Sequence, residues 1–194
     1  SSLADGGAGV IAASGAQHVA YIGTGGAILP LLLFASARAA VPVTPLNYRL
    51  SPDGLRALLD RLPDPLVVVD DEYRDAVGDG YRVLGSAAFI EQARTAEPAA
   101  EFADPDAVGV VLFTSGSEGT PKAVVLSNRN LLTNALQAAA RLSLSPQDKL
   151  LNVLPVFHSF GLTGGLILPL VAGVKLFLYP SPLHYKLIPE VARK

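Results

Sequence analysis

VAYIGTGGAILPLLLFASARAAVPVTP (residues 19–45) holds no charged residue from Val19 to Ala37. That run matches the ~20 residues that cross a bilayer, so a membrane span and a buried soluble core compete for it. Gly23, Gly25, Gly26 and Pro30 fall inside the run. Glycine and proline clustered mid-segment read as a turn between short elements. Strands of a parallel sheet, covered on both faces, also appear as unbroken apolar runs. The stretch therefore reads as a strand (Val19–Gly23), a glycine-rich turn, a largely buried helix from Ile28 to Ala40 with Pro30 in its first turn, and a short strand over Val41–Pro45. A second charge-free run, Leu150 to Val174, is broken in the same way by Pro155, Gly161, Gly164, Gly165 and Pro169. No integral membrane span is expected.

The alternation continues outward. Ser51-Pro52 opens a helix, with serine as N-cap and proline at the first helical position. Leu55, Leu58, Leu59 and Leu62 follow at helical spacing. Leu66–Asp70 is a strand of buried type, Tyr81–Gly85 a weaker strand and Ala87–Arg94 a short helix. Residues 95–106, rich in alanine, proline and acids, read as a linker. Val108–Phe113 and Ala123–Leu126 are strands flanking a glycine-rich loop. Ser127 can cap a helix carrying Leu131, Leu132, Ala135, Leu136, Ala139 and Leu142. Then come a strand over Leu150–Leu154, a helix over Leu162–Val171, a strand over Lys175–Tyr179 and a helix over Leu183–Arg193. Strands alternating with helices imply βαβ units and largely parallel sheets. The expected fold class is a layered α/β/α arrangement in two similar βα subdomains, residues 1–100 and 101–194.

Composition limits the function classes. The 194 residues are 50% hydrophobic and only 16% charged, against about 25% charged in ordinary soluble domains. Disorder needs the opposite balance. There is no cysteine, which excludes a disulfide scaffold and a zinc–thiolate centre. A net charge of −2 without a basic block excludes an evident nucleic-acid surface. The first nine residues, SSLADGGAG, lack the charged and apolar regions of a signal peptide, so a cytoplasmic location is expected, peripheral to the membrane at most. With no methionine at all, the chain reads as processed or as a piece of something longer.

The segment that carries chemistry is FTSGSEGTPK (residues 113–122). Gly116 and Gly119 let a backbone approach a ligand closely. Thr114, Ser115, Ser117 and Thr120 supply four hydroxyls, Lys122 a positive charge, and Pro121 fixes the exit from the loop. Hydroxyls, backbone N–H groups and one lysine after a buried strand suit a polyphosphate. The same residues also make an ordinary turn between strands. A Walker A loop is excluded, because only Ser117 and Glu118 separate the glycines and Ala123 follows the lysine. A nucleophile elbow is excluded, because Ser115 stands two residues before Ser117.

FTSGSEGTPKAVVLSNRNLL (113–132) resembles the phosphate-binding signature of the adenylate-forming superfamily, which comprises acyl-CoA synthetases, peptide-synthetase adenylation domains and luciferases. Its usual form is Thr-Ser-Gly-Thr-Thr-Gly-x-Pro-Lys-Gly. Glu118 takes the place of the second threonine of the pair, Ala123 of the last glycine, and Asn128 stands where histidine is common. Residues 19–59 resemble the early strand–helix–strand of the same superfamily. Residues 154–190 resemble its next block, centred on His158, and the ending FLYPSPLHYKLIPE is most similar to fatty-acyl synthetases, including those linked to acyl-carrier protein.

The resemblance implies a fatty-acid–CoA ligase that uses ATP and Mg²⁺ to make an acyl-adenylate and then passes the acyl group to coenzyme A. An acyl-carrier-protein-linked synthetase and a non-catalytic nucleotide-binding module are the alternatives. It implies that Thr114, Ser115, Gly116, Ser117, Glu118, Gly119, Thr120 and Lys122 bind the phosphates. It implies that His158 helps orient the carboxylate where acyl and thiol pockets meet. Mg²⁺ would be held by ATP and by a residue outside these 194, so no metal ligand is expected here. His18 reads as a surface residue, and His184 receives no role. The pairs Asp70-Asp71 and Asp104/Asp106 read as a strand end and a loop. The resemblance covers an inner part of a large N-terminal domain. The 194 residues are therefore expected to be inactive alone and to self-associate through apolar surface that other segments normally cover.

Overall fold

A computed structural model describes residues 2–99, 104–114, 121–180, 183–184 and 186–193, and the backbone alone at Ser2. Its elements in chain order are α1 (Ser2–Ser14), β1 (His18–Ile22), α2 (Ile28–Ala39), β2 (Val43–Leu46), α3 (Pro52–Leu59), β3 (Pro65–Val69), α4 (Arg74–Val77), β4 (Arg82–Gly85) and α5 (Ser86–Thr95). There follow β5 (Val108–Phe113), β6 (Ala123–Ser127), α6 (Asn128–Leu142), β7 (Lys149–Asn152), α7 (Ser159–Leu162), α8 (Leu168–Ala172), β8 (Lys175–Leu178) and α9 (Ile188–Val191).

The described residues form a six-stranded sheet ordered β4-β3-β1-β2-β5-β6. The strands run parallel except β6, which is antiparallel to β5. Val19, Ala20, Tyr21 and Ile22 are fully buried in β1, as are Val67, Val68 and Val69 in β3. Strands buried on both faces explain the missing polar alternation. On one face Ala20, Ile22, Val67 and Val69 pack with Leu55, Leu58, Leu59 and Leu62 of α3 and the turn after it. Ser51 caps that helix, its Oγ accepting from the N–H of Gly54 at 3.2 Å.

Helix α1 packs on α2 and α5. Nothing in the sequence reading placed it, because Gly6, Gly7 and Gly9 depress helix propensity. The contacts explain the glycines. A Cβ on Gly6 would lie 1.9 Å from the carbonyl oxygen of Ala93, and one on Gly9 2.0 Å from that of Glu97.

The chain divides into two compact units. One holds the chain up to Gly23 and from Ala27 to Asn128; the other holds Thr24–Gly26 and the chain from Arg129 on. The division differs from the expected break after residue 100. Strands β5 and β6, assigned by sequence to the second subdomain, complete the first sheet, because Val110 of β5 pairs with Val43 of β2. The second unit contains a parallel β7–β8 pair.

Two helices also differ from expectation. The stretch Leu162–Val171 is not one helix: a π-helical turn over Thr163–Ile167 separates α7 from α8. Pro169 has no N–H for the carbonyl of Gly165, four residues earlier, so a plain α-ladder cannot run through that point. Helix α9 covers only Ile188–Val191, not Leu183–Arg193, with Pro189 in its first turn, where proline is tolerated. In α6 only Leu131 and Ala135 are buried, whereas Leu132, Leu136 and Leu142 are 49%, 51% and 62% exposed. Among the described residues no helix is long and apolar enough to cross a membrane.

Candidate functional site

The β5–β6 hairpin positions the polar loop. Its ladder pairs Leu112 with Val124 and Phe113 with Ala123. One step further, the N–H of Thr114 donates to the carbonyl of Lys122 at 2.9 Å, with the Thr114 hydroxyl 3.4 Å from the same oxygen. The two residues that bracket the loop are thus held face to face, both exposed. Ser115, Gly116, Ser117, Glu118, Gly119 and Thr120 lie outside the described residues.

Arg61, just beyond α3, secures the base of this hairpin. Its guanidinium donates to the carbonyl of Pro121 and stacks 5.1 Å from the ring centroid of Phe113. One side chain therefore holds both strands where the loop leaves them. Arg61 was not a sequence candidate, because its partner Pro121 is 60 positions away and is met through a backbone carbonyl. At the other end of the hairpin, Gly109 makes room for Asn128: a Cβ there would lie 2.4 Å from the amide oxygen. The Asn128 amide donates to the carbonyl of Asp104.

In the second unit His158 stands exposed at the start of α7. Its two preceding neighbours, Val156 and Phe157, are 4% and 8% exposed and anchor the turn. The Phe157 ring tilts against the imidazole with centroids 4.6 Å apart. The N–H of His158 donates to the carbonyl of Pro155 at 3.2 Å, and its carbonyl accepts from Leu162 at 2.9 Å. The turn thus buries its apolar members and turns the imidazole outward. The same unit contains an open cleft of about 500 Å³, with Ala135, Ala138, Leu142, Leu150, Phe160 and Leu168 among the side chains that line it.

The other titratable candidates fall differently. His18 is 2% exposed, not at the surface, with Nε2 2.7 Å from Thr44 Oγ1. It opens a strand covered on both faces, so burial pushes its pKa down from 6.5 to about 4. Asp70 follows β3 and accepts from the hydroxyls of Tyr21 at 3.1 Å and Ser86 at 2.6 Å. The Tyr179 hydroxyl lies 3.1 Å from His184 Nδ1. Among the described residues no three His, Asp or Glu side chains gather as a metal site.

Comparison with known proteins gives one family. Residues 8–193 match the family described as AMP-binding enzyme. The indoleacetate–CoA ligase of Aromatoleum aromaticum is 32% identical over 193 residues, which cover 90% of this chain and 38% of that protein. The medium-chain fatty-acid–CoA ligase of Escherichia coli is 38% identical over 73 residues, 38% of this chain and 13% of the ligase. The crystal structure of ATP-bound MatB from Rhodopseudomonas palustris superimposes with a TM-score of 0.84 at 26% identity, covering 99% of this chain and 41% of that one. The chain thus spans about two fifths of the length of the indoleacetate ligase, and the mixed α/β fold with its mostly parallel sheet is that of MatB over the matched part.

Proposed function

The chain belongs to the AMP-binding enzyme family, and on that premise we propose that the whole protein is an ATP-dependent acyl-CoA ligase acting on fatty acids. A carboxylate oxygen attacks the α-phosphorus of ATP, the bond to pyrophosphate breaks, and an acyl-adenylate forms. A thiol then attacks the acyl carbon and AMP leaves. Both partners of the first step are anions, so catalysis rests on groups that offset phosphate charge in place. In this reading Thr114 and Lys122, with the loop from Ser115 to Thr120 between them, cradle the β- and γ-phosphates. His158 orients the carboxylate. Mg²⁺ would supply charge neutralisation on the phosphates, held by ATP and by a residue outside these 194.

The observation that carries the reading is the hairpin base. Two strands hold Thr114 opposite Lys122, and the six-residue sequence SGSEGT joins them. The fatty-acid choice is supported by the apolar cleft, whose volume lies within the range of about 300–1,000 Å³ usual for small-molecule sites. The fatty-acid–CoA ligase among the relatives also supports it.

The test is carboxylate-dependent exchange of pyrophosphate into ATP by the full-length protein, across fatty acids of graded length and indoleacetate. Fatty acids should drive exchange best, and Lys122→Ala should lower it roughly 100-fold. Exchange driven best by indoleacetate would redirect the substrate. ATP binding without exchange for any carboxylate would overturn the enzyme reading in favour of a nucleotide-binding module. Thioester product with coenzyme A, not with carrier protein, is the expected second half-reaction.

A further inference from the structure

Asn152 is the last residue of β7 and is 3% exposed. It is the one polar side chain in the apolar run Leu150–Phe157. Its Nδ2 donates to the carbonyl of Gly161 at 3.1 Å, and its Oδ1 accepts from the N–H of Leu154 at 2.9 Å. One partner is an acceptor and the other a donor, so only one orientation of the amide satisfies both. Leu154 and Gly161 bracket the segment that carries His158. The amide therefore ties the two ends of that turn to each other and to the end of a strand.

The neighbourhood is shaped around this amide. A Cβ on Gly165 would lie 2.3 Å from Asn152 Nδ2, and one on Gly161 would lie 2.1 Å from the carbonyl oxygen of Pro155. The backbone carbonyl of Asn152 accepts from Tyr179 just after β8 at 2.8 Å, which fixes the strand end itself. Buried polar groups in fully satisfied pairs specify one local arrangement, because each alternative leaves a desolvated group without a bond.

We propose that Asn152 is a positioning residue for His158, fixing the turn that presents the imidazole to the carboxylate. The proposal rests on the role given to His158 above. A side chain held at both ends of its loop loses less on reaching the reactive geometry, and small misplacements there cost rate steeply.

The experiment is a double-mutant cycle in the full-length enzyme, with kcat and KM for each substrate measured well below each variant's Tm. Asn152→Ala should lower kcat about 10-fold with the KM for ATP little changed. Adding Asn152→Ala to His158→Ala should cost nothing more in kcat, while Tm falls by the same amount in both backgrounds. A purely structural residue would lower Tm in the same way but would multiply its kcat loss with that of His158→Ala, and that result overturns the proposal. Full kcat in Asn152→Ala overturns it as well. Full activity in His158→Ala overturns both this proposal and the role of His158, which separates the two failures. If Asn152→Ala does not fold, Asn152→Asp keeps the acceptor for Leu154, loses the donor to Gly161 and serves in the same cycle.

Discussion

At position 18 an imidazole is sealed in a sheet, Nε2 against Thr44 Oγ1 at 2.7 Å. Burial lowers its pKa from 6.5 to about 4, so the folded chain refuses a proton that the unfolded chain accepts. The stability that depends on neutral His18 is complete above pH 6.5 and is lost as pH falls from there toward 4. The swing is on the order of 3 kcal/mol. His18→Gln can still bond Thr44 and cannot titrate. Its urea midpoint should therefore fall less than that of the native protein between about pH 7.5 and about pH 4.5, where carboxylates contribute alike to both. An equal fall in the two proteins would refute the buried-neutral assignment. The sequence misread this residue as surface for a physical reason: a strand buried on both faces has no polar alternation, so nothing marks where burial begins. Thr114 and Lys122 could be named as candidates because their order along the chain is the signal. Asn152 and Arg61 were not, since their partners become neighbours only when distant backbone folds against them.

Among the elements, α1 shows how packing overrides propensity. Replacing a helical glycine with alanine ordinarily gains about 1 kcal/mol. At Gly6 the added methyl would sit 1.9 Å from a backbone oxygen of α5, which cannot swing aside as a side-chain tip can. Overpacking of this kind costs about 1–3 kcal/mol, so Gly6→Ala should lower the urea midpoint despite the better helix former. Gain of stability would mean that α1 and α5 do not approach this closely. The strands and the helices α2, α3 and α5 were readable from apolar runs, caps and spacing. Helix α6 was readable as a helix but not as a core element, because its periodic leucines do not say which of them a neighbour will cover. The π-helical turn before α8 was hidden for the opposite reason: Pro169 and the glycines were visible, but two outcomes, a break or a shifted register, satisfy them equally.

At the scale of the whole chain, several large apolar side chains stay open among the described residues. Val124 and Val125 on the edge strand β6 are 40% and 56% exposed, Leu142 62% and Phe177 56%. Among the described residues β6 pairs with β5 alone, and with exposed branched side chains and no charge between Ala123 and Ser127 it offers apolar area to another copy. Related ligases are more than twice as long, the chain covering 38% of one of them, so their further sequence has ample length to cover comparable surface. The 194 residues alone should therefore self-associate. Sedimentation velocity over a range of concentrations should show a rising average mass, and Val125→Lys should shift the population toward monomer by placing a charge on the β6 edge. If the chain stays monomeric at high concentration, or if Val125→Lys changes nothing, β6 is not the surface that associates. The same isolated chain should give no pyrophosphate exchange even with Lys122 intact, since it spans only 38% of the length of the indoleacetate–CoA ligase it resembles.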